Sequence, residues 1–228
     1  MRFMKAGPTR FQKTGFVVIK EAISKELAEF VYQYFLLKRK VFSQLKSDGI
    51  LLPFDDSWGT FQDPQVPNTY SHYADIGMET LLEKVKPKME EITGLKLTAT
   101  YSFARIYKNG DVLERHKDRK SCEISTTLNL GGDPWAIYID EDPKHGKLDE
   151  NNLYHTDNAK GIEVNLEPGD MLVYRGHDLE HWRETFEGEY CGQVFLHYNQ
   201  QGSEFESPND GRPFLGLPRR YINVTRRR

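Results

Sequence analysis

The stretch TATYSFARIYKNGDVLERHKD, residues 98–118, decides how this chain is read. Thr98 to Tyr107 carries Tyr101, Phe103, Ile106 and Tyr107 in quick succession and reads as a strand. Lys108-Asn109-Gly110-Asp111 follows, and Asn-Gly is the strongest short hairpin signal. The chain is then expected to return as a strand from Val112 to Asp118. Residues two apart on a strand point to the same face. His116 and Asp118 can therefore reach one metal ion, while Lys117 points away.

A third ligand would have to come from a distant strand. Glu167-Pro168-Gly169-Asp170 is a turn, and Met171 to Tyr174 is a short apolar strand. Arg175-Gly176 ends it, and the chain turns back through His181-Trp182-Arg183. His177 sits in a polar turn beside Asp178, whereas His181 opens the next strand. A strand holds a ligand more rigidly than a loop tip, so His181 is the preferred third ligand. Two histidines and one carboxylate form the facial triad that binds Fe(II) and leaves positions open for substrate and O2. An isolated His-x-Asp also occurs by chance, here as a surface pair in the charged run Glu114 to Lys120. The wider order argues against chance: a strand and turn carry the His-x-Asp, a strand-rich middle follows, and a Pro-Gly-Asp turn leads to the distal histidine.

With 228 residues the chain is long enough for one large domain or two small ones. Its net charge of -3 gives no bias toward nucleic acid or another charged partner. A hydrophobic content of 38% and a mean hydropathy of -0.67 fit a globular chain, and no apolar run approaches the length of a membrane span. The first ten residues lack the apolar stretch of a signal peptide, so a cytoplasmic protein without membrane or nucleic-acid partners is expected. Cys122 and Cys191 are too few for a disulfide framework, and both are expected to be reduced thiols in strands of the core.

The first ninety residues have helical periodicity. Gly15 to Lys20 reads as a strand, and Ser24 as the N-cap of a helix running to about Lys46. Residues 47–76 read as a loop, with Pro53, Gly59, Pro64 and Pro67 set among Trp58, Phe61, Tyr70 and Tyr73. A second helix is expected from Met78 to Ile92, kinked at Pro87 and capped by Gly94. From Leu95 to Asn199 the pattern becomes that of short strands: 122–130, 135–140, 162–164, 171–174, 181–184 and 190–198. A charged loop holding His145 and His155 spans 140–160. The tail from Gly202 is irregular and ends in Arg226–Arg228. Many short strands between turn signals indicate a sandwich or barrel. The loops 47–76 and 140–160 are candidate lids.

Taken together, helices first, then Tyr107-x8-His116-x-Asp118, then Pro-Gly-Asp-Met-Leu-Val-Tyr at 168–174, then a distal histidine, resemble the 2-oxoglutarate/Fe(II)-dependent dioxygenases. The prolyl-hydroxylase-like branch is the nearest in kind. The segments ERHKDR at 114–119 and GDMLVYRG at 169–176 resemble uncharacterised phage and bacterial members. The likeness covers residues 95–200 and extends to the general layout of the helical region before them. It implies a mainly β chain with flanking helices: a double-stranded β-helix, jelly-roll or cupin-like, with the N-terminal helices packed on one sheet. It implies one domain over residues 1–228, made of a helical region over 1–94, a core over 95–200 and a tail over 201–228. It further implies Fe(II) held by His116, Asp118 and His181, with 2-oxoglutarate as co-substrate and ascorbate as a candidate reductant. The expected reaction is hydroxylation of a C–H bond with release of succinate and CO2. The substrate could be a peptidyl residue such as proline, a free amino acid or a nucleobase.

One family feature is missing. Prolyl hydroxylases place a basic residue nine or ten positions after the distal histidine, where it pairs with the far carboxylate of 2-oxoglutarate. Here those positions are Tyr190 and Cys191. Arg183, two residues beyond His181 and on the same strand face, is the substitute, because a guanidinium grips a carboxylate through two parallel hydrogen bonds. Its alternative fate is a surface pair with Glu184 or Glu187, and Arg105 is the second candidate anchor. Tyr107 and Thr126 match co-substrate contacts of the family, with Thr126 on the face of Ile124 and Leu128. The missing residue keeps two rivals open: a cupin-type metal enzyme that does not use 2-oxoglutarate, and a non-catalytic binding module.

Overall fold

Two helices form where the chain supplies both a cap and an apolar stripe. The computed structural model describes residues 8–52, 55–151 and 153–222, so Pro53 and Arg226–Arg228 lie outside it. Helix α1 is a single turn, Arg10–Thr14. After strand β1, Phe16–Ile19, helix α2 spans Lys25–Ser47, and the Ser24 side chain accepts a hydrogen bond from the Leu27 N–H. Strand β2, Tyr70–Tyr73, lies inside the segment expected to be loop. Helix α3 spans Ile76–Thr93, with the Asp75 carboxylate accepting from the Met78 N–H and Gly94 closing the end at a φ of 69°. It continues through Pro87 as one helix.

The remaining strands are β3 Leu97–Lys108, β4 Leu113–His116, β5 Ile124–Gly132, β6 Ile137–Ile139 and the small hairpin β7 Lys147–Leu148 with β8 Tyr154–His155. They continue with β9 Ile162–Val164, β10 Met171–Tyr174, β11 His181–Arg183 and β12 Tyr190–Gln200. A six-stranded antiparallel sheet runs in the order β1-β10-β5-β12-β3-β2, and a four-stranded sheet in the order β4-β11-β6-β9. The chain crosses repeatedly between the sheets: β3 large, β4 small, β5 large, β6 and β9 small, β10 large, β11 small, β12 large. That alternation is the double-stranded β-helix.

It also corrects one expectation. Asn109-Gly110 does turn the chain, with Gly110 at a φ of 82°, but β3 and β4 do not pair as a hairpin. The Asp111 carboxylate closes the turn by accepting from the Lys108 N–H at 2.9 Å and the Thr69 hydroxyl at 2.6 Å. The chain then crosses to the small sheet.

Strand alternation sorts the large sheet into two faces. Ile124, Leu128, Met171, Val173, Val194 and Leu196 share one buried cluster with Phe35 of α2 and Leu82 of α3. Both long helices therefore cover the outer face of this sheet. The opposite residues, including Ser125, Thr127, Tyr174, Phe195 and His197, turn toward the small sheet. Among the described residues no helix is long and apolar enough to cross a membrane.

Candidate metal centre

His116 is the last residue of β4, and His181 is the first of β11. The two strands pair with these residues directly opposite each other. Their rings lie 4.2 Å apart. His116 Nδ1 donates to the Glu114 carbonyl at 2.8 Å, and His181 Nδ1 donates to the Leu179 carbonyl at 3.0 Å. A carbonyl only accepts, so each Nδ1 carries a proton and each Nε2 is left facing the site. Burial, helped by the neighbouring His181, pushes His116 down to about 3, which keeps it neutral.

Asp118 comes to the site by a different route from the one expected. Strand β4 ends at His116, so Asp118 lies in the following turn and not on the strand. The Asp118 N–H donates to the Gly176 carbonyl at 2.8 Å. The Ser125 hydroxyl donates to Asp118 Oδ2 at 2.7 Å. Asp118 Oδ1 then lies 3.6 Å from His181 Nε2 and 3.7 Å from His116 Nε2. Burial opposes ionisation of Asp118, but the surrounding histidines and the hydrogen bonding outweigh it and hold the carboxyl far below its ordinary range. His116, Asp118 and His181 each bring one ligand atom within 4.8 Å of the others. A metal requires neutral imidazole and ionised carboxylate ligands, and His116 and Asp118 are held in those states. The donor set fits a divalent first-row ion such as Fe(II). His177, the competing histidine, packs against Phe205 at 5.1 Å, its Nδ1 donates to the Asp118 carbonyl at 3.2 Å, and it stays out of the cluster.

Gly176 closes the segment GDMLVYRG, but it is not among the residues expected at the site. A Cβ here would fall inside the contact radii of Asp118 Oδ2 and Ser125 Oγ, and 2.8 Å from the Cys122 carbonyl. Gly176→Ala is expected to push Asp118 off the site and weaken Fe(II) binding by at least about tenfold, read by anaerobic titration. Wild-type affinity in this variant would mean that the 175–178 turn yields freely.

The three residues open into a cavity of about 850 Å3. Near these three residues it is walled by Tyr101, Phe103, Tyr174, Phe195 and His197. Its outer end is roofed by residues 55–65, within the expected lid. The roof is tied down at two places. Arg105 bonds Asp63 at 2.6 Å and Gln65 at 2.5 Å. Arg220 of the tail reaches Asp55 at 3.7 Å and the Ser57 hydroxyl at 3.3 Å. The tail itself is anchored by Asp210, which accepts from Arg119 at 2.9 and 2.6 Å and from Tyr73 at 2.7 Å. It is anchored again by the buried Arg212–Glu79 pair at 2.8 Å. The other expected lid, 140–160, carries the β7–β8 hairpin, and none of its described residues lines the cavity.

The co-substrate candidates separate. Arg183 turns inward as His181 does and is fully buried between the sheets, away from Glu184 and Glu187. It donates to the Trp135 carbonyl at 2.5 Å and to the Thr127 hydroxyl at 3.3 Å. Its Nε has no partner among the described residues, and burial lowers its pKa with no carboxylate beside it. Tyr107 is buried nearby, edge-on to Trp135 at 4.8 Å, and its hydroxyl accepts from Arg105 at 3.1 Å. Arg105 lines the cavity but is already neutralised by Asp63. Thr126 is not brought to the site. It shares the helix-covered face of Ile124 and Leu128, and its hydroxyl accepts from the Leu196 N–H at 3.2 Å. The inward residue is its neighbour Thr127. Cys122 and Cys191 are free and buried, and burial raises both thiols, so they stay protonated. Cys122 lies in a short turn before β5, not in a strand.

No protein-family profile matches the chain, and no curated protein sequence does. Likeness is found among solved structures. The non-heme alpha-ketoglutarate-dependent carbocyclase SnoK of nogalamycin biosynthesis aligns over 93% of this chain and 96% of its own, with 12% identity and a TM-score of 0.63. A Pseudomonas putida prolyl-4-hydroxylase aligns over 84% and 96%, with 14% identity and a TM-score of 0.52. HygX from Streptomyces hygroscopicus, with nickel and 2-oxoglutarate bound, aligns over 84% and 85%, with 14% identity and a TM-score of 0.55. The fold is that of the 2-oxoglutarate-dependent oxygenases. At these identities the likeness speaks for the β-helix and its flanking helices, and the chemistry has to be argued from the site.

Proposed function

We propose that this chain is an Fe(II)- and 2-oxoglutarate-dependent oxygenase that hydroxylates a C–H bond of a small organic molecule. The observation that carries the reading is the convergence of His116 Nε2, His181 Nε2 and Asp118 Oδ1 at the base of a cavity. These three would hold the iron. Bound together, iron and 2-oxoglutarate would supply, with O2, an oxidant for C–H bonds, one oxygen atom going to succinate as CO2 is released and the other to the substrate.

The protein's own role is to bind, orient and exclude water. Arg183 would hold the far carboxylate of the co-substrate, with Tyr107 and Thr127 beside it. A buried cation without an anion is costly, and a dicarboxylate supplies one. Phe103, Phe195 and Tyr174 would keep the space between anchor and metal dry. The roof over the mouth favours a free small molecule over a residue in a folded protein such as peptidyl proline. HygX, a neighbour in fold, has also been crystallised with hygromycin B bound. The helices and strands share one hydrophobic cluster, and we read residues 1–228 as one domain.

An anaerobic Fe(II) titration tests the reading, with ascorbate present to keep the iron reduced. A visible charge-transfer band should appear only when Fe(II) and 2-oxoglutarate are both present, and admitting O2 should then yield succinate. Iron binding without that band would favour the cupin-type enzyme. No iron binding at all would favour the binding module.

A further inference from the structure

Asp118 could offer a metal one carboxylate oxygen or both, and its neighbours decide which. Oδ1 faces the two histidines, while Oδ2 turns away to the Ser125 hydroxyl at 2.7 Å. Ser125 has one proton and three polar neighbours: Asp118 Oδ2, the Cys122 carbonyl at 3.0 Å and His197 Nδ1 at 3.0 Å. Both oxygens can only accept, and the shorter contact to the charged one takes the proton. His197 Nδ1 must then donate to Ser125. This fixes the His197 tautomer and leaves its Nε2 unprotonated, in a ring that lines the cavity. Tyr101 packs on that ring at 4.5 Å, and Arg119 lies over Tyr101 at 4.4 Å while gripped by Asp210. The imidazole is held on one side by Ser125 and on its face by this stack.

We propose that His197, acting through Ser125, is a positioning residue that commits Asp118 to giving a metal one oxygen only. The proposal rests on the reading of His116, Asp118 and His181 as the metal ligands. The physical reason is competition for Oδ2. Deprived of its donor, Oδ2 would be a buried anionic oxygen without a partner, and the nearest available partner is the metal. A second carboxylate oxygen on the metal would fill a position that the facial triad must leave open. Ser125 supplies the donor, and His197 orients the Ser125 hydroxyl by occupying its lone pair.

The test uses Ser125→Ala, His197→Leu, His197→Asn and the double variant Ser125→Ala/His197→Leu. The asparagine amide nitrogen can stand where Nδ1 stands and still donate. Fe(II) affinity and the Fe(II)/2-oxoglutarate charge-transfer band are measured anaerobically, and the melting temperature of each metal-free protein is recorded. Ser125→Ala and His197→Leu should each raise the 2-oxoglutarate concentration needed for the band by about tenfold and move the band in the same direction, without loss of Fe(II) affinity, because the second carboxylate oxygen competes for the open position. His197→Asn should restore both readouts. The double variant should be no worse than Ser125→Ala alone, because the two residues act in series. Fully additive losses, no rescue by asparagine, or an unmoved band in His197→Leu would each overturn the proposal. A wild type that gives no band is a different result, and it removes the oxygenase reading itself.

Discussion

Alanine at His116, Asp118 or His181 is expected to weaken Fe(II) binding by more than about 100-fold, beyond the range typical of outer-shell changes. Turnover of 2-oxoglutarate should vanish in all three. Each side chain borders the cavity, so its loss removes a ligand without opening the helix-packed core. His177→Ala should leave most of the iron bound, because that ring packs on Phe205 and meets Asp118 only at its backbone carbonyl. Anaerobic titration of the four variants, with circular dichroism to confirm folding, decides the matter. If His177→Ala loses iron and His181→Ala keeps it, the ligand assignment is wrong.

The second large effect is expected at Arg183. Arg183→Gln should raise the 2-oxoglutarate requirement by an amount equivalent to about 2–5 kcal/mol, much of it from leaving a buried carboxylate unpaired. Fe(II) affinity in the absence of 2-oxoglutarate should change little. Arg183→Lys should recover only some of the loss, because an ammonium lacks the planar fork. The measurement is the 2-oxoglutarate dependence of succinate formation in wild type and both variants. An unchanged dependence in Arg183→Gln would move the anchor to Arg105, the cavity-lining cation that pairs with Asp63.

Much of this was legible in residues 98–118 and 168–183, because periodicity and turn chemistry are local properties. The change from helical to strand spacing near Leu95 marks where α3 ends and β3 begins, and strand β10 has the expected bounds, Met171–Tyr174. Parity along β11 placed Arg183 in the interior with His181. What escaped depends on contacts between strands far apart in the chain. The same parity argument failed for Asp118, which is set by Gly176 and Ser125 after β4 has ended. Thr126 was one residue out of register. In a strand that error exchanges the metal-facing side for the helix-facing side. Ser125 and His197 are not among the residues that the sequence marks for the site. They matter because β5 and β12 pair with these two residues opposite each other.

The tail fastened by Asp210 and Arg220 has a consequence for how the protein divides its labour. The candidate ligands come from β4, the turn after it and β11, whereas the roof comes from residues 55–65 and is fastened by Arg105 of β3 and by Arg220 from the far end of the sequence. Reactivity and selectivity are thus written in separate stretches of chain that meet only in space. If the proposed function holds, a different substrate could be admitted by rewriting the roof and its tether while the metal-ligand candidates stay untouched.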